Sequence, residues 1–286
     1  MGESMRRDLF PAVSLATMIV STPAAAITVG FADSHGRPIQ AVEDQPMIML
    51  SGVIEPGDAD KLERFIYINQ KSLRTYPQER IVVYLNSPGG DVEEAKKIAV
   101  TLREIMADAR VYSNMVCASS CFLLYVNAPM RGNIGTVAVH RPFLSPEKDK
   151  TLSAAEAARV HDKIYRSVEK WLRDRLVPQS IIEKLLSAPS TKAYVLTLED
   201  LAAIGDRSPW YEEWLLARCP DFLEADKEAK EAFAQDREPG KRFEDAIKCE
   251  NDALQLEVVH GLGSVVIRRA VAEANRDRER DKKAGK

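Results

Sequence analysis

The chain has 286 residues, 45% of them hydrophobic, with 40 basic against 43 acidic side chains and a formal net charge of −3. That length builds one domain with a full core and an appendage. The closely interleaved charges exclude the basic footprint of a nucleic-acid binder, and outside the N-terminus no apolar run is long enough to span a membrane. In chain order, residues 1–26 read as an export signal: Arg6 and Arg7 precede an apolar run from Leu9 to Val20, and Ala24-Ala25-Ala26 supplies small residues for cleavage after Ala26. An uncleaved anchor is the alternative. Residues 27–45 are polar and turn-rich with no clear period. Met47 to Ile54 is a predicted strand, Asp58 to Lys71 an amphipathic helix, 81–85 a strand, 91–107 a helix, 110–113 a strand, 119–128 a helix and 134–139 a strand. Strands alternating with helices in this way predict parallel crossovers and an α/β layer fold.

Residues 151–187 break the alternation with one long helix, Ala154 to Arg175, and a second, Gln179 to Leu186. Tyr194-Val195-Leu196 returns to strand, and Thr197 with Asp200 three positions on predicts a capped helix that stops at Gly205. From Pro209 the chain is mostly helical and charged, with Leu254 to Val259 a further strand candidate and 276–286 a charge run that reads as a frayed helix or disordered tail. Trp210, Tyr211 and Trp214 stand where this extension leaves the core; they read as packing residues, with a subunit interface as the alternative.

Two segments carry the chemistry. Asn86-Ser87-Pro88-Gly89-Gly90-Asp91 follows a buried strand and forces a tight turn whose glycines admit close backbone approach. About thirty residues on, Cys117-Ala118-Ser119-Ser120-Cys121 puts a serine pair at the start of an apolar helix. Serine needs a base and an oxyanion site before it is a useful nucleophile. Of the four histidines, His140 alone ends an apolar strand, Ile134 to Val139, and functional side chains gather at the carboxyl ends of parallel strands. Capping a strand and capping a helix are the ordinary uses of His140 and of the serines. The four cysteines fit an oxidising compartment. Cys219 and Cys249 flank a charged helical stretch and read as a bridge across a helical hairpin, whereas Cys117 and Cys121 read equally as a bridge or as two buried thiols.

Gly52 in Leu-Ser-Gly-Val-Ile, the Asn86 to Val92 turn, Ala118-Ser119 before an apolar helix, Val139-His140-Arg141-Pro142, and Glu199 to Gly205 stand in the order found in the Clp proteolytic subunit, ClpP. The chain resembles that family over about residues 46–207, and a branch of exported ClpP-like proteins with a Cys-Ala-Ser-x-Cys segment most of all. The resemblance implies a spiral of ββα units of the ClpP/crotonase superfamily, with a long helix after the sheet and a helical C-terminal appendage. The expected organisation is a signal over 1–26, a polar segment over 27–45, the ClpP/crotonase-like domain over 46–207 and a charged helical extension over 208–286. It further implies Ser119 as nucleophile, with Ser120 in that place after a one-residue shift, His140 as general base, and the Gly89 and Ser120 amides as oxyanion donors. The helix starting near Ser119 would add its positive end to that site.

The chain departs from the family at the third member. Where an aspartate is expected, Ala188-Pro189-Ser190-Thr191-Lys192-Ala193-Tyr194 has no acid. Loss of a triad acid costs roughly 10⁴ in turnover, so either another group such as Thr191 or Ser190 orients the imidazole, or Lys192 acts as base in a Ser–Lys pair, or the site is slow or dead. The expected activity is an exported, ATP-independent serine peptidase acting on peptides or unfolded segments, as a homo-oligomer without an ATPase partner. The alternatives are a weak or inactive ClpP-like scaffold, a crotonase-like thioester enzyme, which export disfavours, and thiol redox chemistry at Cys117/Cys121, whose spacing is not Cys-x-x-Cys. No metal-ligand spacing and no phosphate-binding glycine loop is visible, so no cofactor is expected.

Overall fold

The computed structural model describes residues 26–33, 37–39, 47–74, 80–144 and 151–283. The segment expected to be an export signal, residues 1–26, lies outside the described residues apart from Ala26. Five strands come first in the main sheet: β1 (Thr28–Ala32), β2 (Pro38–Ile39), β3 (Met47–Ser51), β4 (Val82–Asn86) and β5 (Asp108–Val111). Between them run α1 (Asp58–Arg74) and α2 (Val92–Glu104). Next come β6 (Val116–Ala118), α3 (Cys121–Asn127), β7 (Met130–Asn133) and β8 (Thr136–Val139). Then follow α4 (Ala154–Arg173), α5 (Gln179–Ser187), β9 (Tyr194–Val195), α6 (Leu198–Ile204), α7 (Pro209–Arg218), α8 (Phe222–Ala234) and α9 (Lys241–Lys283).

The larger sheet has the order β2-β1-β3-β4-β5-β7, and β3, β4, β5 and β7 pair in parallel, as the alternation of strands and helices requires. A smaller sheet, β6-β8-β9, holds β6 and β8 in parallel. Strand β4 shows why the sheet is central. Val82, Val83, Tyr84 and Leu85 are all buried, the continuous apolar run of a strand covered on both faces.

The structure adds strands to the expected elements and corrects two others. Within the polar 27–45 segment, Thr28–Ala32 form β1, antiparallel to β3 from Thr28↔Ser51 to Ala32↔Met47. Its Val-Gly-Phe-Ala run is too short and mixed to show a period, and the neighbouring strand supplies the pairing. Residues 134–139 are not one strand: Ile134 and Gly135 separate β7 in the large sheet from β8 in the small one. A Cβ at Gly135 would stand on the Tyr112 carbonyl oxygen, so the chain changes sheets at a glycine. Leu254 to Val259 is not a strand but lies inside α9, where Leu254, Val258, Leu262 and Val265 are buried at helical spacing. The charged tail continues that helix as far as Lys283.

The extension packs on the α1–α2 side of the domain. Arg268 of α9 bridges Glu63 of α1 (2.8 Å) and Glu104 of α2 (2.8 Å). Tyr211 is fully buried, stacks on Trp214 and donates its hydroxyl to Glu250 at 2.7 Å. Cys219 and Cys249 form a disulfide that ties α7 to α9. The aromatic trio therefore packs the extension onto itself and onto the core. Among the described residues no helix is long and apolar enough to cross a membrane.

Candidate active site

Strand β4 delivers the glycine turn. Ile54 N–H donates to Gly89 O (2.9 Å) and Asp91 N–H to Ile54 O (2.8 Å), which straps the turn to the segment after β3. Gly89 and Gly90 have φ of +99° and +149°, backbone that side chains rarely adopt. Space demands glycine as well: a Cβ on Gly89 would lie 2.6 Å from Ser119 Cβ and 2.9 Å from Ser120 N. The turn is thus pressed directly onto the serine pair. Asp91 then caps α2, accepting from Glu94 N–H at 2.9 Å.

The serine segment is held from the other side. Ser87 N–H donates to Val116 O (2.6 Å) and Ala118 N–H to Ser87 O (2.9 Å), so β6 is stitched to the residue that opens the turn. Ser119 has φ +57°, a left-handed conformation that costs a non-glycine residue about 1–2 kcal/mol. Its N–H donates to Ala138 O at 3.0 Å. Ser120 returns to φ −64° and precedes the first turn of α3. It is only 4% exposed, and its hydroxyl donates to Gly90 O at 3.1 Å. The two serines are therefore not equivalent: Ser119 lines an open cavity, and Ser120 turns inward as a strut. Cys117 and Cys121 on either side of them are joined by a disulfide, with Cα atoms 5.2 Å apart.

β8 supplies the imidazole. It pairs with β6 in parallel, Ala118 opposite Ala138, so Ser119 and His140 leave neighbouring strands at the same end. Both line one cavity of about 650 Å³, together with Gly89, Gly90, Phe143 and Ile164, a volume suited to a small-molecule or side-chain site. Among the described residues Ser119 Oγ and His140 share no hydrogen bond. Instead His140 Nδ1 lies 2.9 Å from Arg141 O. A carbonyl only accepts, so Nδ1 carries a proton, and in the neutral ring the lone pair is then on Nε2, the tautomer of a general base. Arg141 N–H in turn donates to Ala188 O at 3.0 Å.

That last bond locates the residues expected as a third member. Ala188 adjoins the backbone of Arg141, but Ser190, Thr191 and Lys192 lie beyond it in a turn closed by Lys192 N–H to Pro189 O (3.0 Å). Thr191 and Lys192 are exposed, Ser190 is half-buried, and none of the three lines the cavity. The nearby acid Asp200 is already engaged. Its Oδ1 accepts from Lys184 (2.5 Å) and its Oδ2 from Tyr194 Oη and Thr197 N–H (3.1 Å each). Burial alone would raise its pKa, but Lys184 and the other donors hold it below the ordinary 3.8.

Of the two expected oxyanion donors, the Gly89 amide is engaged with Ser87 Oγ at 3.1 Å. Sequence reasoning did not single out Ser87, Gly90, the Ala138 carbonyl or the Arg141 carbonyl. The last two act through main-chain atoms, which no residue type announces. Ser87 and Gly90 belong to the recognised turn, yet which atom of it does what depends on its folding. Among the described residues no cluster of His, Cys, Asp and Glu is placed to hold a metal ion.

No curated protein matches the chain. The family model for Clp protease does, over residues 34–171, just under half of the chain, and this span includes the glycine turn, both serines and His140. Members of that family are generally oligomeric peptidases, and the mixed α/β architecture with its long C-terminal helix is consistent with a ClpP-like fold. Over residues 34–171 the chain is thus similar to the Clp protease family.

Proposed function

We propose that the protein is an exported serine peptidase that cleaves peptides or unfolded segments without ATP, and that Ser119 is its nucleophile. The observation that carries this reading is the strained, cavity-lining Ser119 at the end of β6, beside His140 at the end of the adjacent parallel strand. Backbone held in a sparsely populated region points to a functional constraint.

In this mechanism Ser119 Oγ attacks the scissile carbonyl carbon while its proton passes to His140 Nε2. The C–N bond then breaks, and the imidazolium returns the proton to the leaving amine. Water, deprotonated by the same nitrogen, releases the acyl group. The oxyanion needs two amides. Ser120 N–H is one. For the other, the Gly89 amide is spent on Ser87, whereas the Gly90 carbonyl accepts from Ser120 and so faces the serine loop. Gly90 is bridged to Ile54 through its neighbours, Gly89 O and Asp91 N–H, so its own amide and carbonyl face away from Ile54, and the role therefore falls to Gly90 N–H. The Arg141 carbonyl stands in for the missing aspartate. It fixes the tautomer but brings no negative charge to stabilise the imidazolium, which implies slow turnover. Val53, Ile54, Val92, Pro142 and Phe143 give the cavity an apolar wall, suited to an apolar side chain next to the cleaved bond.

Export is supported by the pairing of all four cysteines in two disulfides, which persist in oxidising compartments. The absence of a carboxylate on His140 among the described residues favours a second reading, an inactive oligomeric scaffold. One assay separates them. The purified full chain is incubated with a fluorogenic, unstructured protein substrate and no nucleotide. Hydrolysis that disappears in Ser119→Ala supports the peptidase; equal signal from both proteins, or none, supports the scaffold.

A further inference from the structure

The Cys117–Cys121 disulfide surrounds the residue on which the proposed chemistry turns. The cysteines are four positions apart, with Ser119 midway between them. Cys117 sits on β6 opposite Val137 and bridges to Ser87, so one end of the link is fixed to sheet. Cys121 is the first residue of α3, every residue of which is buried, so the other end is fixed to a helix that has no room to shift. Between them the chain passes from left-handed Ser119 (φ +57°) to right-handed Ser120 (φ −64°). The loop's other ties are single hydrogen bonds: Ala118 N–H to Ser87 O, Ser119 N–H to Ala138 O, Phe122 N–H to Ser119 O, Leu123 N–H to Ser120 O, and Ser120 Oγ to Gly90 O.

We infer that this disulfide is a positioning device that assembles the active site, so that the chain becomes a peptidase only after oxidation; the inference rests on the serine-peptidase reading above. The physical reason is distance. Bonded sulfurs sit about 2 Å apart, whereas two thiols in contact need roughly 3.5 Å. Both side chains are packed in the core, so in the reduced chain the difference of about 1.5 Å is shared between their rotation and the loop that carries Ser119. A misplacement of about 1 Å costs a catalytic site on the order of 10²-fold. Both sulfurs are fully buried, 0% exposed, so the redox state is set while the chain folds, and a soluble reductant does not reset it afterwards. The step is thiol–disulfide exchange with a small disulfide: the two cysteine thiols and R–S–S–R give the internal bond and two R–SH, by way of a mixed disulfide. A chain still in a reducing compartment would be folded but idle. The second disulfide, Cys219–Cys249, lies in the extension away from the cavity and serves as the control.

The test uses the full chain and a fluorophosphonate probe. Cys117→Ser/Cys121→Ser is expected to keep its fold, to lose at least about 30-fold in labelling rate and in kcat, and to hold KM within about twofold. Cys219→Ala/Cys249→Ala is expected to label at the wild-type rate. Hydrogen exchange at the Ser119 amide is expected to speed up at least tenfold in the first variant only. Wild-type labelling and exchange in folded Cys117→Ser/Cys121→Ser overturns the inference. Should that variant not fold, Cys219→Ala/Cys249→Ala, which retains the single pair, is refolded with and without oxidised glutathione. Labelling confined to the oxidised sample supports the inference, and equal labelling of both samples overturns it. If the wild type itself is never labelled, the peptidase reading has failed, and the Ser119 amide exchange still reports on the clamp.

Discussion

His140 Nδ1 lies 2.9 Å from the carbonyl oxygen of Arg141, its own neighbour in the chain. A backbone carbonyl thus meets the ring nitrogen that a carboxylate meets in a Ser-His-Asp triad, and Ala188 O anchors that carbonyl's residue through Arg141 N–H. The side chains of Ser190, Thr191 and Lys192 are then dispensable. Alanine at each of the three positions is expected to leave peptide hydrolysis within about twofold of wild type. His140→Ala is expected to lower kcat by about 10³-fold or more. Collapse of activity in Lys192→Ala would instead make lysine the base.

The close approach of Gly89 to the serine pair predicts a severe effect from one methyl group. A Cβ there meets Ser119 Cβ at 2.6 Å and the Ala118 carbonyl oxygen at 2.8 Å, neither of which yields without moving the nucleophile. With φ of +99° the backbone is unfavourable for alanine as well. Gly89→Ala is expected to lose about 10²-fold or more in kcat/KM and about 1–3 kcal/mol of stability, measured by hydrolysis and by urea unfolding of the same preparation.

Cys219 and Cys249 are 30 residues apart, a loop for which chain entropy predicts about 3–4 kcal/mol of stabilisation. Cys219→Ala/Cys249→Ala is expected to lower unfolding free energy by that order in urea, with labelling of Ser119 unchanged. The two disulfides thereby separate by readout, one reporting in stability and the other in rate.

Glu94 gives the acid limb of stability. It is buried at the foot of α1, accepts from the amides of Gly57 (3.0 Å) and Ala59 (2.8 Å), and pairs with Lys97 (2.8 Å). Burial by itself would raise its pKa. The Lys97 ammonium and the two amides outweigh that and hold it below the ordinary 4.5. A carboxylate depressed in the folded state stabilises above its unfolded value, and that contribution is lost as pH falls through the folded value. Unfolding free energy is therefore expected to drop as pH is lowered from about 5. Glu94→Gln is expected to cost about 1–3 kcal/mol at pH 7 and to flatten the acid limb.

Much of this was legible in the sequence because a single local signal dictated it. The buried run of β4, the glycine turn, the Asp91 cap of α2 and the Thr197–Asp200 capping box each follow from a few adjacent residues. What was hidden depends on partners far along the chain. β1 exists because β3 offers it an edge, and the break between β7 and β8 depends on Gly135 pressing against the Tyr112 backbone. Leu254 to Val259 looks like a strand in isolation, and only the burial of Leu262 and Val265 further along shows the helical period. At the site, the sequence pointed to Ser119 and His140, which the fold brings to one cavity, whereas the groups bonded to them, Ala138 O and Arg141 O, are backbone. The lack of an acid between Ala188 and Tyr194 was visible, and the Arg141 carbonyl beside His140 Nδ1 was not.

The most direct test is the position of a covalent label. Fluorophosphonate is applied to folded wild-type protein, Ser119→Ala and Ser120→Ala, and the adduct is mapped by peptide mass spectrometry. A single adduct on Ser119 in the wild type, absent from Ser119→Ala and retained in Ser120→Ala, is the predicted result. An adduct on Ser120, an adduct elsewhere, or a folded wild-type protein that takes no label contradicts the account.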